Sequence, residues 1–425
     1  MLLQFNFKNY RSFKDDTTLD FAATKITEFG THVISAANER VLPVAAIFGA
    51  NGSGKTNALN AFWYMCNYVV NSFFFGGDEN KKNDYFQYEE PTPFLFDNES
   101  KDGDTSFEVY FTSFENNSEK IYNYGFSLSK NGVTEEWLNC KSKSSRGEYK
   151  KIFYRNRKSN ELDLSGIDTK MQENILLSLE KETLIVTLGA KLKVAKLKII
   201  RDWFACNRFV NFGSAISSYI LSTRIPNGFM DSPDVRKNVL KFFSSFDPSI
   251  VDFEVEIQNN DNANESRKVY IYALHKMTDS NKLARIPFEA ESSGTLKMFS
   301  LYQRLQNALE SGGVFVIDEL NANLHPLLVR VVILTFLNPE INKNHAQLIF
   351  TTHDAWQLNN NILRRDEIWF AEKSEEGVST LYSLADFEDE DGTKIRKDEN
   401  YEKNYLLGKY GAIPSLKHLF ALSGE

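Results

Sequence analysis

The segment GANGSGKT, residues 49–56, constrains the fold more than any other stretch of the sequence. It fits the pattern G-x-x-x-x-G-K-[ST]. It follows the continuous apolar run VLPVAAIF and precedes NALNAFWYMCNYVV, whose apolar residues have helical spacing. A buried parallel strand, a glycine-rich loop and a helix are therefore predicted in that order. In this arrangement the loop N–H groups and the positive end of the helix can surround a phosphate.

The residue types in this loop suit the phosphates of a nucleotide. Lys55 is expected to reach the β- and γ-phosphates, and the Thr56 hydroxyl is expected to ligate Mg²⁺. Glycines allow the backbone to turn its N–H groups inward. The predicted nucleotide-binding residues of this segment are Gly49, Ala50, Asn51, Gly52, Ser53, Gly54, Lys55, Thr56 and Asn57.

Two further apolar strands end in polar residues, at the end of the strand where a parallel sheet binds ligands. GVFVIDEL places Asp318 where it can hold Mg²⁺, and Glu319 follows as a general base that polarises the attacking water. AQLIFTTHD places His353 after a third strand, facing the γ-phosphate. The predicted catalytic residues are Glu319, His353 and Lys55, and the predicted metal ligands are Thr56 and Asp318.

A second phosphate-binding surface is predicted at ESSGT, residues 291–295. A Ser-Gly turn at a helix start offers N–H groups, a hydroxyl and the positive end of the helix dipole. The first loop is expected to bind the nucleotide of its own copy. The second surface is therefore expected to contact the nucleotide of another copy. Ser292 and Gly294 are therefore predicted to bind ATP across a dimer. The alternative is that Ser292 is an ordinary helix N-cap.

Composition limits the partners and the location. The net charge of −8 gives no overall basic field for nucleic acid, although local patches can still bind it. Cys66, Cys140 and Cys206 lack metal-ligand spacing, which favours a reducing compartment. No apolar run approaches the length of a membrane span, and the N-terminal segment already carries Lys8 and Arg11. We therefore expect a cytoplasmic protein with no membrane partner.

The patterning divides the chain into a head and an insert. Short alternating runs from about 105 to 138 predict a β-meander, and strands alternating with helices after 251 predict a parallel sheet. Residues 139–250 differ, because basic residues are dense between Lys141 and Lys158, and LGAKLKVAKLKIIRDWF predicts a basic amphipathic helix. This segment is expected either to contact nucleic acid or to be a solvated surface.

In this order the segments resemble the ABC-type ATPase heads of the SMC, RecF and OLD kind. NFKNYRSF is similar to the opening strand, GANGSGKT to Walker A, ESSGT to the signature, VFVIDEL to Walker B, NANLHP to the D-loop and TTHD to the switch histidine. RRDEIWFAEK, LYSLADF and YLLGKYGAIP resemble the RloA/AbiLi group of abortive-infection ATPases. The likeness covers about residues 1–130 and 250–415.

The resemblance implies an α/β fold, a P-loop ABC-type ATPase head in which a mixed sheet carries a β-meander lobe and flanking helices. Residues 1–138 and 251–425 are expected to form two halves of this head, and residues 139–250 a basic, mainly helical insert. The resemblance also implies that the head binds ATP and Mg²⁺ and dimerises around ATP.

The resemblance assigns the same roles to the site residues named above and adds Arg11, which matches the opening-strand arginine that approaches bound nucleotide. Two positions depart from the family pattern. Glu-Ser-Ser-Gly-Thr replaces the transporter signature Leu-Ser-Gly-Gly, and His325 stands where the D-loop usually has Asp. Gln87 is the candidate for the Q-loop glutamine.

Two functions follow from these likenesses. The first is a sensor and regulator ATPase of an anti-phage system, which controls a separate toxin or nuclease effector. A separate effector is expected because the residues after TTHD are too few for the nuclease domain that OLD proteins append. The alternative is a RecF- or SMC-like ATPase of DNA repair or recombination. A transporter subunit is disfavoured by the altered signature and the large insert.

Overall fold

The computed structural model describes residues 1–75, 90–142, 148–214, 225–244, 247–258, 268–322, 324–388, 392 and 394–414. Its strands are β1 (Leu2–Lys8), β2 (Thr17–Asp20), β3 (Ile34–Ala36), β4 (Glu39–Val41), β5 (Val44–Phe48), β6 (Thr105–Glu115), β7 (Ser118–Ser129), β8 (Gly132–Ser142), β9 (Lys150–Asn156), β10 (Glu161–Asp163), β11 (Arg208–Asn211), β12 (Ile250–Gln258), β13 (Lys268–Lys276), β14 (Leu283–Pro287), β15 (Val314–Asp318), β16 (Gln347–Thr351), β17 (Ile368–Lys373) and β18 (Ser379–Ser383). Its helices are α1 (Lys55–Asn71), α2 (Asn98–Asp102), α3 (Thr169–Ser178), α4 (Ile185–Lys191), α5 (Ala195–Ala205), α6 (Pro233–Phe243), α7 (Ser293–Ser311), α8 (Pro326–Leu337) and α9 (Tyr401–Leu406). None of the helices in these ranges has both the length and the apolar composition that a membrane crossing requires.

A largely parallel sheet positions the site, with the strand order β11-β15-β16-β5-β17-β18. All neighbours in it are parallel except β17 and β18. β5, β15 and β16 are buried along their whole length, as expected of continuous apolar runs. Because these three strands are parallel, the residues that follow them meet at one edge of the sheet. The predicted α/β fold with a mixed sheet is confirmed.

Alternate residues of this sheet face two separate cores. On one side, Ile47 packs in a cluster that includes Phe62 of α1. On the other side, Phe48 packs in a cluster that includes Phe299 of α7 and Phe336 of α8. The glycine-rich loop therefore leads into a helix on one face of the sheet, while the helix that follows ESSGT lies on the opposite face.

A second sheet is antiparallel throughout, in the order β10-β9-β8-β7-β6-β1-β2. The predicted meander forms β6 to β8, and the sheet then continues through β9 and β10. The fully buried Gln347 at the start of β16 joins the two sheets, because its side chain accepts from Leu2 N–H at 2.6 Å and donates to the Leu2 carbonyl at 2.9 Å. The start of β16 is thereby fixed relative to the start of β1.

Residues 139–250 differ from the expected separate insert. β9 and β10 extend the antiparallel sheet, and β11 is the edge strand of the parallel sheet beside β15. Ile185 of α4 and Ile200 of α5 lie in the same core as α1. The predicted single basic helix is divided into α4 and α5, because Lys193 between them has a left-handed backbone with φ 63°. The described part of this segment is built into the head, and the charged residues Lys150, Lys151 and Arg155 interrupt the apolar pattern of β9.

Candidate active site

The loop between β5 and α1 is shaped by its glycines. Gly49, Gly52 and Gly54 have φ values of 149°, 76° and 109°, which side chains rarely tolerate. A Cβ on Gly49 would lie 2.3 Å from the Ala371 carbonyl oxygen, and one on Gly54 would lie 2.5 Å from Ser379 Oγ. The loop is thus packed tightly against β17 and β18, so its backbone N–H groups are held in place.

Lys55 begins α1 and lies back over the loop. Its Nζ donates to the carbonyl oxygens of Gly49 and Ala50, both at 2.8 Å. The side chain is buried, and burial lowers the pKa of Lys55 to about 8, while Asp318 and Glu319 partly oppose this shift. The cation is therefore positioned between the loop and the carboxylates at the neighbouring strand end.

The loop has unused hydrogen-bonding groups of the kind that a phosphate needs. The buried Ser53 Oγ has no hydrogen-bond partner among the described residues. The N-cap of α1 is Gly54, so no side chain caps this helix, and its first turn contains no acidic residue. An uncapped helix start with a buried free hydroxyl and an adjacent lysine fits a phosphate group.

Asp318 at the end of β15 lies beside the hydroxyl predicted to share a metal with it. Its Oδ1 accepts from Thr56 Oγ1 at 3.2 Å and from Thr351 Oγ1 at 2.6 Å, and its Oδ2 accepts from Asn211 Nδ2 at 2.9 Å. The carboxylate is almost fully buried. A carboxylate and a hydroxyl at this separation form the hard oxygen set that Mg²⁺ prefers, so the residues fit the predicted ion.

Two of these partners carried no predicted role. Asn211 ends β11, within the segment expected to be an insert, and Thr351 ends β16 two residues before His353. Only an apolar run ending in a polar residue marks each of them in the sequence. Such a run does not tell which strand lies beside β15.

Glu319 follows Asp318 with a left-handed backbone, φ 54°. Its N–H donates to Thr351 Oγ1 at 2.8 Å. A Cβ added to Gly213 would lie 2.2 Å from Glu319 Oε2, which shows that the carboxylate rests directly on this glycine. A non-glycine residue in this conformation costs about 1–3 kcal/mol and persists only where its surroundings fix it. The left-handed conformation turns the chain at Glu319 away from the direction of β15.

His353 lies at the same edge, after β16. Its side chain is exposed and its N–H donates to Asn321 Oδ1 at 3.2 Å. Desolvation lowers the pKa of His353, Lys55 lowers it further, and Glu319 and Asp318 oppose the shift. The histidine therefore lies within electrostatic range of the lysine and the two carboxylates.

Arg11 lies next to the first turn of α1, as its predicted role requires. Its Nη1 donates to Asn57 Oδ1 at 3.5 Å, and its guanidinium lies 5.3 Å from the centre of the Tyr10 ring. Asn57 Nδ2 in turn donates to Ser12 Oγ at 2.8 Å. The turn after β1 is therefore connected to the loop helix.

Ser292 and Gly294 lie apart from this group, at the start of α7. Ser292 is exposed, and its Oγ accepts from Thr295 N–H at 3.1 Å, so it is an N-cap. This geometry is compatible with both alternatives, a cap alone or a cap that also faces a partner. His325 is likewise an N-cap, since its Nδ1 accepts from Leu327 N–H at 3.2 Å at the start of α8. Gln87 lies outside the described residues.

Sequence patterns also gave no role to Lys297, which is buried within α7. Burial lowers the pKa of Lys297, and the nearby Glu319 opposes that shift. Its position shows that α7, which lies on the opposite face from α1, still reaches the carboxylate edge of the sheet.

Three of the described basic residues of 141–158 have clear partners within the protein. Arg155 is buried and donates to the carbonyls of Thr183 and Glu180 at 3.0 and 3.3 Å. Lys158 pairs with Asp104 at 2.7 Å, and Lys151 pairs with Asp163 at 2.6 Å. Residues 143–147 lie outside the described part. Arg155 is therefore structural, whereas the side chains of Lys151 and Lys158 stay at the surface, and contact of this segment with nucleic acid stays a prediction.

The family with the description "AAA domain, putative AbiEii toxin, Type IV TA system" has a sequence model that matches residues 44–170 and 211–355. These ranges span more than half of the chain and include the loop, both carboxylates, the signature segment and His353. The chain belongs to this family. The finer RloA/AbiLi group stays a prediction.

Comparisons with curated proteins and with solved structures do not assign a narrower family. No protein of curated function matches the chain. A solved structure described as "Crystal structure of the SmcHead bound to the C-winged helix domain of ScpA" is similar at 15% identity with a TM-score of 0.39, over 90% of this chain and 97% of that chain.

The AAA-family model also extends across residues 139–170 and begins again at 211. It therefore includes β9, β10 and the end of β11, in line with their place in the two sheets. The family and the loop geometry together describe a P-loop protein of the ATPase type.

Proposed function

We propose that this AAA-family protein hydrolyses ATP in the presence of Mg²⁺. The observation that carries the proposal is that three strand ends place their functional groups at one edge of one sheet. Lys55 and Thr56 follow β5, Asp318 and Glu319 lie at the end of β15, and His353 follows β16. This is the combination of phosphate, metal and water-activating groups that phosphoryl transfer to water requires.

Each group has a defined part in this reaction. Thr56 and Asp318 would hold Mg²⁺, which when bound supplies positive charge to the phosphate oxygens. Lys55 and the uncapped start of α1 bind the phosphates, and His353 lies on the side of the γ-phosphate. Glu319 orients a water molecule and accepts its proton while the water oxygen bonds to the γ-phosphorus. The bond between the γ-phosphorus and the bridging oxygen breaks, so that ADP and inorganic phosphate leave.

We further infer that two copies bind around ATP. Ser292 and Gly294 begin a helix at the surface, with the positive end of α7 facing out. The loop of one copy and this turn of another would then hold the same nucleotide. The proposal predicts that dimerisation depends on ATP.

At the level of the cell, we propose a cytoplasmic sensor and regulator of an anti-phage system with a separate toxin or nuclease effector. The family description, which names a putative toxin of a type IV toxin–antitoxin system, supports a link to such systems. The alternative is a RecF- or SMC-like DNA repair ATPase, which the family description does not name. Infection of cells carrying this gene with and without its neighbouring gene tests the proposal: protection should need both, and protection by this gene alone would contradict a separate effector.

The enzymatic proposal is tested by phosphate release from ATP with Mg²⁺ and with a chelator. Turnover should require Mg²⁺. Lys55→Ala should weaken ATP binding by about 10- to 100-fold, since hydrogen bonds to charged groups contribute about 1.5–3 kcal/mol. Arg304→Ala is a control, because this half-buried cation donates to the Phe209 carbonyl away from the loop. Turnover that persists with the chelator would contradict the role of the metal.

A further inference from the structure

Helix α7 connects two features that the proposed function treats separately, the Ser292 turn and Glu319. Lys297 lies one turn into this helix and is only 5% exposed. Its Nζ donates to the carbonyl oxygens of Ala322 at 2.9 Å and Phe212 at 3.2 Å. The ammonium also lies 4.9 Å from the centre of the Phe212 ring. One buried cation thus joins α7 to two chain segments that are far apart in sequence.

Both of those segments support Glu319. Phe212 precedes Gly213, the residue on which the Glu319 carboxylate rests, and the Phe212 N–H donates to the Asp318 carbonyl at 2.9 Å. On the other side, the Ala322 N–H donates to the Glu319 carbonyl at 2.8 Å. Lys297 therefore joins two segments that contact Glu319, the turn at Ala322 three residues after it and the Phe212 segment beside its carboxylate.

A packing role alone does not explain a lysine at this position. A buried ammonium loses its hydration, so a core site that needed only volume would hold Leu or Met. The cation is retained where its hydrogen bonds hold something in place. Glu319, with its left-handed backbone, is a residue whose conformation must be imposed by neighbours.

We propose that Lys297 is a positioning residue that fixes Glu319 from the helix that begins at Ser292, so that the rate of hydrolysis depends on where that helix lies. This inference rests on the proposed ATP hydrolysis. A shift of α7 on contact with a partner's nucleotide would move the Ala322 and Phe212 carbonyls through Lys297, and with them the Glu319 carboxylate. Binding of ATP by the loop does not pass through this residue.

The test compares Lys297→Met, which keeps the length and loses the hydrogen bonds, with Lys297→Arg, which keeps charge and donors. Lys297→Met should lower kcat by about 10- to 100-fold, the size expected of a small misplacement of a reacting group, and leave KM within about twofold. Lys297→Arg should restore most of kcat. Arg304→Met, on the same helix, should have wild-type kcat. If Lys297→Met keeps the wild-type kcat, the inference is wrong.

A second comparison separates positioning from general loss of structure. In a Glu319→Gln background, adding Lys297→Met should cause no further fall in single-turnover rate, because both changes remove the same contribution. Additive losses would overturn the inference. If Lys297→Met does not fold, Lys297→Gln, which keeps a donor for one carbonyl, takes its place in both comparisons. A wild-type protein that binds ATP without turnover would instead contradict the proposed function itself.

Discussion

The helices α4 and α1 differ in what accepts hydrogen bonds from the N–H groups of their first turns. This difference distinguishes a helix start with a structural role from one that can bind a ligand. At the start of α4, the fully buried Glu136 of β8 accepts from the N–H groups of Ile185 at 2.8 Å and Val186 at 3.2 Å. At the start of α1, Gly54 provides no side-chain cap. Both helix starts are buried against a sheet, yet only one has its donors satisfied by the described chain. Unsatisfied donors in an otherwise well-packed protein indicate where a ligand binds.

The charged groups behind the two helices differ in the same way. Glu136 lies directly opposite Arg155 in the β8–β9 ladder, and Tyr124 O–H donates to the same carboxylate at 3.1 Å. Arg155 is occupied by the carbonyls of the segment that leads into α4. In the loop, Lys55 donates to its own loop carbonyls while Ser53 Oγ stays free. We call Glu136, Arg155, Tyr124 and the start of α4 the α4 network. We call the glycine-rich loop with Lys55, together with Asp318, Glu319 and His353, the loop site. The α4 network is closed, whereas the loop site is open to an anion.

The largest expected effect concerns the loop site. Glu319→Gln should lower turnover by about 10²–10⁴-fold, because the amide cannot accept the proton of the attacking water. ATP binding should remain, since Glu319 does not contact the loop. Phosphate release and equilibrium binding of ATP measure the two quantities. The control is Glu310→Gln, an exposed residue in the last turn of α7. Unchanged turnover in Glu319→Gln would remove this residue from the chemistry.

The next effect concerns the α4 network and should act on stability instead. Arg155→Met leaves the Thr183 and Glu180 carbonyls without their donor, so the free energy of unfolding should fall by about 1–3 kcal/mol for each buried acceptor left unpaired. Urea denaturation measures this loss. The folded fraction should bind ATP with wild-type affinity; a selective loss of ATP binding would show that the two regions are not independent.

The α4 network should also make stability depend on pH. Burial raises the pKa of Glu136 from 4.5 to about 7, and Arg155 and the two helix N–H groups oppose the shift. The folded state therefore binds more protons than the unfolded state between these values, so the free energy of unfolding should decrease as pH rises from about 4.5 to about 7. Urea midpoints across this range measure the slope. Glu136→Gln should flatten it, and Glu161→Gln on the exposed end of β10 should not.

The smallest effect on stability is expected at Ser292. Ser292→Ala should cost about 1 kcal/mol, because the Thr295 N–H loses its acceptor. If the turn also faces a partner's ATP, Ser292→Arg in a Glu319→Gln background should abolish the ATP-dependent dimer and leave ATP binding by the monomer intact. Light scattering with and without ATP measures this. Ser232→Arg is the matched control, since Ser232 is the N-cap of α6. A dimer that persists in Ser292→Arg would make this turn a cap only.

The sequence by itself determined the loop site to a large extent. The order strand, GANGSGKT, helix is local, and a parallel sheet brings the ends of its strands to one edge, so Lys55, Asp318, Glu319 and His353 could be placed together before the structure. Glycine patterning also indicated the backbone turn at Gly54. These inferences were possible because each depends on a few adjacent residues and on one general rule about parallel sheets.

Only the tertiary structure decided which distant residues complete that site. Asn211 reaches Asp318 because β11 joins the parallel sheet at its edge, and Lys297 reaches the Ala322 carbonyl from a helix on the other face of the sheet. The same holds for Arg155, which belongs to a run of cations typical of a surface and yet is buried, where it donates to the Thr183 and Glu180 carbonyls. Strand neighbours and helix faces are set by packing between segments far apart in the chain, and periodicity within a segment carries no information about them.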